Sequence, residues 1–210
     1  MKFPTTFCVS LKSAVQRREI VSKHLKSHGI DFHLFDAIHA PRMGLETKLS
    51  YLDDHPNWTP EDGPTYRISQ SVLGCSMSHY TIWRIMEYLD DDYFLVVEDD
   101  VELCEGFKEK LMAKIENLPS DWQFVFVGHC CLDPKLLMVC DGVAHTPTPP
   151  MCTHAYLVRK TAVKHLIATN ELMYAPIDIQ LKKRTLPTIS HYSLVPPLAN
   201  QNGQPSTING

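Results

Sequence analysis

Five residues from Tyr93 to Val97 pass without a polar interruption. A run this short, β-branched and aromatic, with no alternation, is the pattern of a strand buried on both faces of a parallel sheet. Elsewhere the period changes, and each change marks an element. The stretch from Thr5 to Leu11 predicts a first strand. Val15, Ile20, Val21 and Leu25 follow at roughly helical spacing, Ser13 and Gln16 have the capping-box form, and Gly29 is a natural stop. Ile30, Phe32 and Leu34 then alternate as a second strand, which completes a βαβ unit. A helical period returns from Ser69 to Tyr88, with Val72, Cys75, Ile82, Trp83 and Met86 facing inward. Phe107, Leu111, Ile115 and Leu118 predict another amphipathic helix. Trp122 to Val127 is a dense strand stopped by Gly128, 153–158 a strand and 161–169 a short helix. Pro176-Ile177-Asp178 opens a further helix with proline favourably at its start, and Ile189 to Val195 is strand-like. Residues 36–67 and 129–152 show no period and read as long, specificity-shaping loops. The alternation of strands and helices predicts an α/β fold in a single domain.

The buried run ends in three consecutive acids, Glu98-Asp99-Asp100. Two carboxylates ~4 Å apart repel by about 4 kcal/mol at an effective dielectric near 20. In open α/β sheets the carboxyl end of a strand faces the ligand crevice. The acids therefore meet either water, as a solvated turn, or an oxygen-loving divalent cation. Arg17 and Arg18 pose a similar choice: an arginine pair holds a diphosphate bidentately, or it forms the wet face of the first helix. Gly74, Ser78 and His79 inside the second helix read, by themselves, as close packing and an ordinary half-buried histidine.

Composition narrows the classes. The 210 residues, 44% hydrophobic and 21% charged, suit one domain with a real core. A net charge of −4 argues against a nucleic-acid face. Seven cysteines, odd in number and irregularly spaced, read as reduced, packed thiols of a cytoplasmic chain. No run reaches the ~18 apolar residues of a membrane span, and the N-terminus lacks a signal-peptide core. Asn57-Trp58-Thr59 matches a glycosylation sequon, a triplet common by chance. His129-Cys130-Cys131, Cys140, Cys152 and His154 invite a zinc reading. No Cys-x-x-Cys pair occurs, however, and adjacent residues such as Cys130 and Cys131 point to opposite faces of an extended segment, so zinc is not expected. Nucleophile-elbow, Walker and dinucleotide fingerprints are absent.

Seven blocks in order resemble glycosyltransferase family 25, the family of bacterial lipooligosaccharide and collagen galactosyltransferases. They are Val9-Ser10-Leu11 through Arg17-Arg18-Glu19, with Ser10 where Asn is usual; Phe32 to Ala37; Gly74-Cys75-Ser76-Met77-Ser78-His79 with Trp83; Val96 to Val101; Phe126-Val127-Gly128; His154-Ala155-Tyr156-Leu157-Val158; and Pro176-Ile177-Asp178. Pro197-Leu198, Gln201 and Ser206-Thr207-Ile208 echo the family's tail. The resemblance implies a GT-A-type fold, a Rossmann-like mixed sheet flanked by helices. Residues 1–128 would form the nucleotide-sugar half and 129–210 the acceptor half.

The resemblance further implies metal-dependent, inverting transfer of a hexose from a UDP-sugar to a saccharide or glycoconjugate acceptor, such as lipooligosaccharide. Galactose is favoured over glucose. Glu98 and Asp100, alternate residues of an extended segment, would share Mn²⁺ or Mg²⁺ while Asp99 turns toward the ribose or donor sugar. Ser10, Leu11, Arg17, Ser78, His79 and His154 would complete the donor site. Asp178 would be the base that deprotonates the acceptor, or else a carboxylate that only stabilises a helix N-terminus. The expected location is cytoplasmic, with peripheral contact at the inner face of a membrane left open. Two other readings stand: a degenerate family member that binds without transferring, and a metal-dependent phosphoesterase, for which a two-metal His/Asp cluster is lacking.

Overall fold

The computed structural model describes residues 2–40, 69–173 and 175–203. Most of the expected 36–67 loop, with its sequon, and the tail block at 206–208 lie outside them. The core is an eight-stranded mixed sheet in the order β2-β1-β3-β8-β5-β9-β7-β6. Its strands are β1 (Thr5–Leu11), β2 (His33–Ala37), β3 (Tyr93–Glu98), β5 (Phe124–Cys130), β6 (Leu137–Cys140), β7 (Val143–His145), β8 (Met151–Arg159) and β9 (His191–Leu194). Two short strands, β4 (Val101–Leu103) and β10 (Ala199–Gln201), pair antiparallel beside it. The helices are α1 (Val15–Ser27), α2 (Gln70–Met86), α3 (Phe107–Asn117), α4 (Lys160–Asn170) and the single turn α5 (Ile177–Gln180), which continues as a π-helix, Leu181–Thr185. None of these helices is long and apolar enough to cross a membrane.

β1 pairs parallel with both β2 and β3, and β3 pairs antiparallel with β8. This places β3 in the interior of the sheet, where its unbroken apolar run belongs. Alternate residues go to opposite faces: Leu95 and Val97 join the cluster with Val21, Leu25, Phe107 and Leu111. Phe94 and Val96 join the other, with Ile82, Trp83, Tyr156 and Leu166. Full burial of each such side chain stabilises by roughly 1.5–3 kcal/mol.

Helix α1 departs from its sequence pattern. Its N-cap is Ala14, without a side-chain cap, so the Ser13–Gln16 capping box does not form. Val15 and Ile20 are 69% and 49% exposed, while Val21 and Leu25 carry the buried face. Arg17 and Arg18 take half-buried positions instead of the wet face, because each meets an aspartate: Arg18 pairs with Asp36 of β2, and Arg17 with the acids after β3. The expected stop at Gly29 is a Schellman motif. Gly29 adopts φ +64°, and the Gly29 and Ile30 amides donate to the Lys26 and Leu25 carbonyls.

Gly128 does not end its strand. β5 runs on to Cys130 through register irregularities against β8, and the segment expected to be irregular contains the β6–β7 hairpin. The cysteine expectation fails at one pair, since Cys130 and Cys152 form a disulfide. β5 and β8 are antiparallel neighbours with Cys130 opposite Met151, which brings the two Cα atoms to 5.7 Å, a bridging distance. The other five cysteines are free, and burial pushes the Cys8 thiol up to about 12.

Gly74 in α2 shows why a helix interior tolerates glycine here. A Cβ at this position would lie far inside contact distance of the Ile38 carbonyl oxygen and 3.2 Å from the Ala40 amide nitrogen. Ser78, one turn on, accepts from the Ile38 amide at 2.8 Å and donates to the Gly74 carbonyl at 2.6 Å. Gly74→Ala would gain about 1 kcal/mol of helix propensity but would push backbone against backbone, an overpacking cost of roughly 1–3 kcal/mol. The expected net result is a lower urea midpoint. A midpoint at or above that of the natural chain would show that the α2–Ile38 contact is not tight.

Candidate active site

The carboxyl ends of β1 and β3 open on one cleft of about 670 Å³, open solvent included. Val9, Ser10 and Leu11 of β1 line it, with Glu98, Asp99 and Asp100 beside them and Arg17 from α1. Cys75, Ser78 and His79 of α2 form the opposite wall. Ile38, His39 and Ala40, just after β2, border the same cleft. Eight of the ten residues singled out from the sequence meet here: Ser10, Leu11, Arg17, Ser78, His79, Glu98, Asp99 and Asp100. His154 and Asp178 are not on this wall; His154 lowers the Glu98 carboxyl, and the charge of Glu98 raises that of Asp178.

The three acids turn to different partners. Glu98 Oε1 accepts from Thr153 Oγ1 at 2.7 Å and lies 3.3 Å from His79 Nε2. Burial raises its carboxyl, but the His79 imidazole, the Thr153 hydroxyl and His154 outweigh that and hold it below the usual range. Asp99 accepts from Ser10 Oγ at 2.5 Å and pairs with Arg17. Asp100 Oδ2 accepts from Gln201 Nε2 at 3.2 Å and sits 3.6 Å from Arg17. Asp100 Oδ1 is buried and has no hydrogen-bond partner among the described residues. Burial, then the charge of Glu98, pushes the Asp100 carboxyl up to about 6 despite Arg17.

His79 is fully buried, and its Nδ1 lies 2.8 Å from the Tyr156 hydroxyl. Trp83 Nε1 lies 3.2 Å from the same hydroxyl. An indole N–H only donates, so the tyrosine oxygen accepts there and its single proton is directed to His79 Nδ1. In that arrangement the imidazole proton is on Nε2, the nitrogen facing Glu98. Ser78, expected at the donor site, spends its hydroxyl on the α2 and Ile38 backbone.

On the far side, Asp178 is half-buried at the start of α5. Its oxygens accept from the Ile179 amide at 2.8 Å and the Cys152 amide at 3.4 Å. Burial raises its carboxyl, and the negative charge of Glu98 adds to this against the backbone donors. His154 is buried, with Nε2 3.4 Å from the Ala199 carbonyl. Sequence reasoning did not single out Thr153 or Gln201 as partners of the acids. Thr153 adjoins His154 in the chain, and Gln201 belongs to the tail echo, but only pairing of β3 with β8 and of β4 with β10 brings them to Glu98 and Asp100.

A divalent cation fits this donor set. The unpartnered, buried Asp100 Oδ1 on the cleft wall is a hard oxygen ligand without a hydrogen-bond partner, and Glu98 stands beside it. The folded pKa of Asp100, about 6, lies above the ordinary 3.8. The folded state therefore holds a proton that the unfolded state has lost, and stability falls as pH rises from about 4 through about 6. In the presence of chelator, Asp100→Asn is expected to gain stability over the natural chain across that window. Urea midpoints at the two ends of the window check this, and a difference independent of pH would contradict the shift.

The model of glycosyltransferase family 25 (LPS biosynthesis protein) matches residues 3–133. The chain is 25% identical over 132 residues to the human procollagen galactosyltransferase 2, covering 61% of this chain and 21% of that one. It is 30% identical over 115 residues to a putative glycosyltransferase of Haemophilus influenzae, covering 55% and 38%. It is also 25% identical over 190 residues to the human inactive glycosyltransferase 25 family member 3, covering 84% and 31%. The chain thus spans between about a fifth and two-fifths of the length of these curated relatives. Among solved structures, a glycosyltransferase involved in glycosylation of the major capsid of PBCV-1 superposes with a TM-score of 0.51. It is 13% identical, over 97% of this chain and 95% of that one. That likeness shows the fold, the GT-A-type mixed sheet expected from the sequence. With its model matched over more than half of the residues, the chain belongs to glycosyltransferase family 25.

Proposed function

We propose that the protein transfers a hexose, galactose in preference to glucose, from a UDP-sugar to a saccharide or other glycoconjugate hydroxyl, with inversion and with a divalent metal. The observation that carries this reading is the acid triplet at the end of buried β3, on a cleft wall shared with Arg17 and holding an unpartnered carboxylate oxygen. The name of the human procollagen galactosyltransferase 2 supports the choice of galactose.

In this reading Asp99, fixed by Ser10 and Arg17, faces the ribose or donor sugar. Arg17, with Leu11 of the β1 end and His79, lines the donor side, and the guanidinium suits a diphosphate. Glu98 and Asp100 would hold Mn²⁺ or Mg²⁺, which when bound supplies Lewis-acid neutralisation of the diphosphate. Asp178 takes the acceptor hydroxyl proton. The acceptor oxygen then bonds to the anomeric carbon from the face opposite the leaving group, and the anomeric C–O bond breaks with its electron pair leaving on UDP. A carboxyl raised by burial, as Asp178 is, is better matched to proton abstraction near neutrality than an ordinary one. His154, buried on β8, completes the donor site from the Glu98 side.

A second reading has a specific observation behind it. A human family member named inactive matches over 84% of this chain, so the second reading is that this chain binds a nucleotide sugar without transferring it. Thermal shift with UDP and Mn²⁺ supports both readings if the chain is stabilised, and sinks both if it is not. Transfer or hydrolysis of UDP-galactose then separates them, since only the transferase reading expects turnover. Asp178→Asn should retain the UDP and Mn²⁺ shift and lose transfer by at least ~100-fold, the scale of a lost general base. Transfer surviving near the natural rate would remove Asp178 from the base role.

A further inference from the structure

We propose that Cys130, Cys152 and His154, once the disulfide is reduced, form a site for one thiophilic divalent cation, Zn²⁺ being the best match. The three side chains are not among those that line the acid cleft, although Thr153 between two of them donates to Glu98, and the proposal does not depend on the transferase reading. The two sulfurs and one imidazole nitrogen lie within 4.8 Å of one another. Tetrahedral zinc with Zn–S near 2.3 Å holds two sulfurs about 3.8 Å apart. The 5.7 Å separation of the Cα atoms leaves room for that once the S–S bond opens.

His154 supplies the second, independent observation. It is 2% exposed, and its Nδ1 is buried without a hydrogen-bond partner among the described residues. Its Nε2 lies 3.4 Å from the Ala199 carbonyl, which can only accept, so the ring proton belongs there and Nδ1 carries the lone pair. A ligating histidine that gives its other N–H to a backbone carbonyl is the usual supporting arrangement of a zinc site. Burial also lowers the His154 pKa, keeping the ring neutral as ligation requires. Gly128 makes the room: a Cβ there would collide with His154 Nε2 and approach the Ala199 carbonyl oxygen to 2.5 Å. The bulged stretch of β5 between Gly128 and Cys130 then sets Cys130 opposite β8. Two thiolates and a neutral imidazole form a set softer than the carboxylate oxygens of the cleft.

The chemistry balances in two steps. A dithiol reductant passes two electrons and two protons to the Sγ atoms of Cys130 and Cys152 and leaves as its own disulfide. The cation then displaces the two thiol protons and binds both thiolates and His154, with the fourth position left to solvent.

A second trio, Cys75, His79 and Glu98, also falls within 4.8 Å, but the Tyr156 hydroxyl on His79 Nδ1 puts the ring proton on the Nε2 that faces Glu98, and burial holds the Cys75 thiol well above its ordinary pKa. It serves as the control. The whole chain, either oxidised or reduced with dithiothreitol and desalted without oxygen, is titrated with Zn²⁺ against a chromogenic chelator. The reduced chain is expected to take one more equivalent than the oxidised chain. Cys130→Ser and Cys152→Ser should each lose that equivalent, and Cys75→Ser should keep it. In the unmutated reduced chain, Zn²⁺ should protect Cys130 and Cys152, but not exposed Cys131, from iodoacetamide, as read by peptide mass spectrometry. No extra equivalent on reduction, loss of it in Cys75→Ser, or protection that fails to single out Cys130 and Cys152 would overturn the proposal.

Discussion

Burial of β3 on both faces is the constraint from which the site follows. Phe94 to Val97 are enclosed by the two core clusters, and β1 and β8 flank the strand on either side. The strand therefore has no freedom to slip: a shift of one residue would exchange its two faces. Its last residue, Glu98, and the two aspartates that follow are delivered together to the edge of the sheet, where three negative charges must be compensated. Each finds different help: Thr153 and His79 for Glu98, Ser10 and Arg17 for Asp99, Gln201 for Asp100. One oxygen of Asp100 gets no hydrogen bond from the described residues. That shortfall is the physical opening for a cation.

The frame around these acids uses its motif residues twice. Gly74 and Ser78 fasten α2 to the backbone just after β2, and in doing so bring His79 to Glu98. Tyr156, on the strand next to β3, orients His79 from behind, with Trp83 supporting the hydroxyl. Residues that packing alone would explain thus also decide which imidazole nitrogen meets the carboxylate. On the opposite side of β8, Cys152 reaches Asp178 through its amide and Cys130 through its sulfur. A change in the state of that sulfur pair would therefore occur at a residue whose own amide contacts the proposed base.

The first strand and helix, the doubly buried run of β3, the amphipathic α2 and α3, and the cluster of acids were legible in the sequence, because each rests on local periodicity or on an unbroken apolar run. The second strand begins later than its alternation implied, with Ile30 and Phe32 before it and Leu34 exposed. The Glu98 to Asp100 triplet stood out because it ends a strand that the pattern locates, whereas Arg17 and the Gly74 to His79 block fit a wet helix face and close packing on pattern alone and were named as site residues only through the resemblance to glycosyltransferase family 25. What local pattern could not do was assign inside and outside on α1. There Arg17 and Arg18 turn inward because Asp99 and Asp36 wait for them, and Val15 and Ile20 are left to water.

By itself the sequence determined most of the longer strands and helices, though not the β6–β7 hairpin or the β4–β10 pair, and that one strand ends in acids. Tertiary structure alone decided who meets whom across the chain. Cys130 and Cys152 are 22 residues apart, and nothing in their spacing pairs them; the antiparallel register of β5 and β8 does. Gln201 reaches Asp100 over 101 positions through the β4–β10 pair. Periodicity reports only the environment of a residue along its own element. Contacts between elements depend on strand order and register, which the sum of all the packing sets.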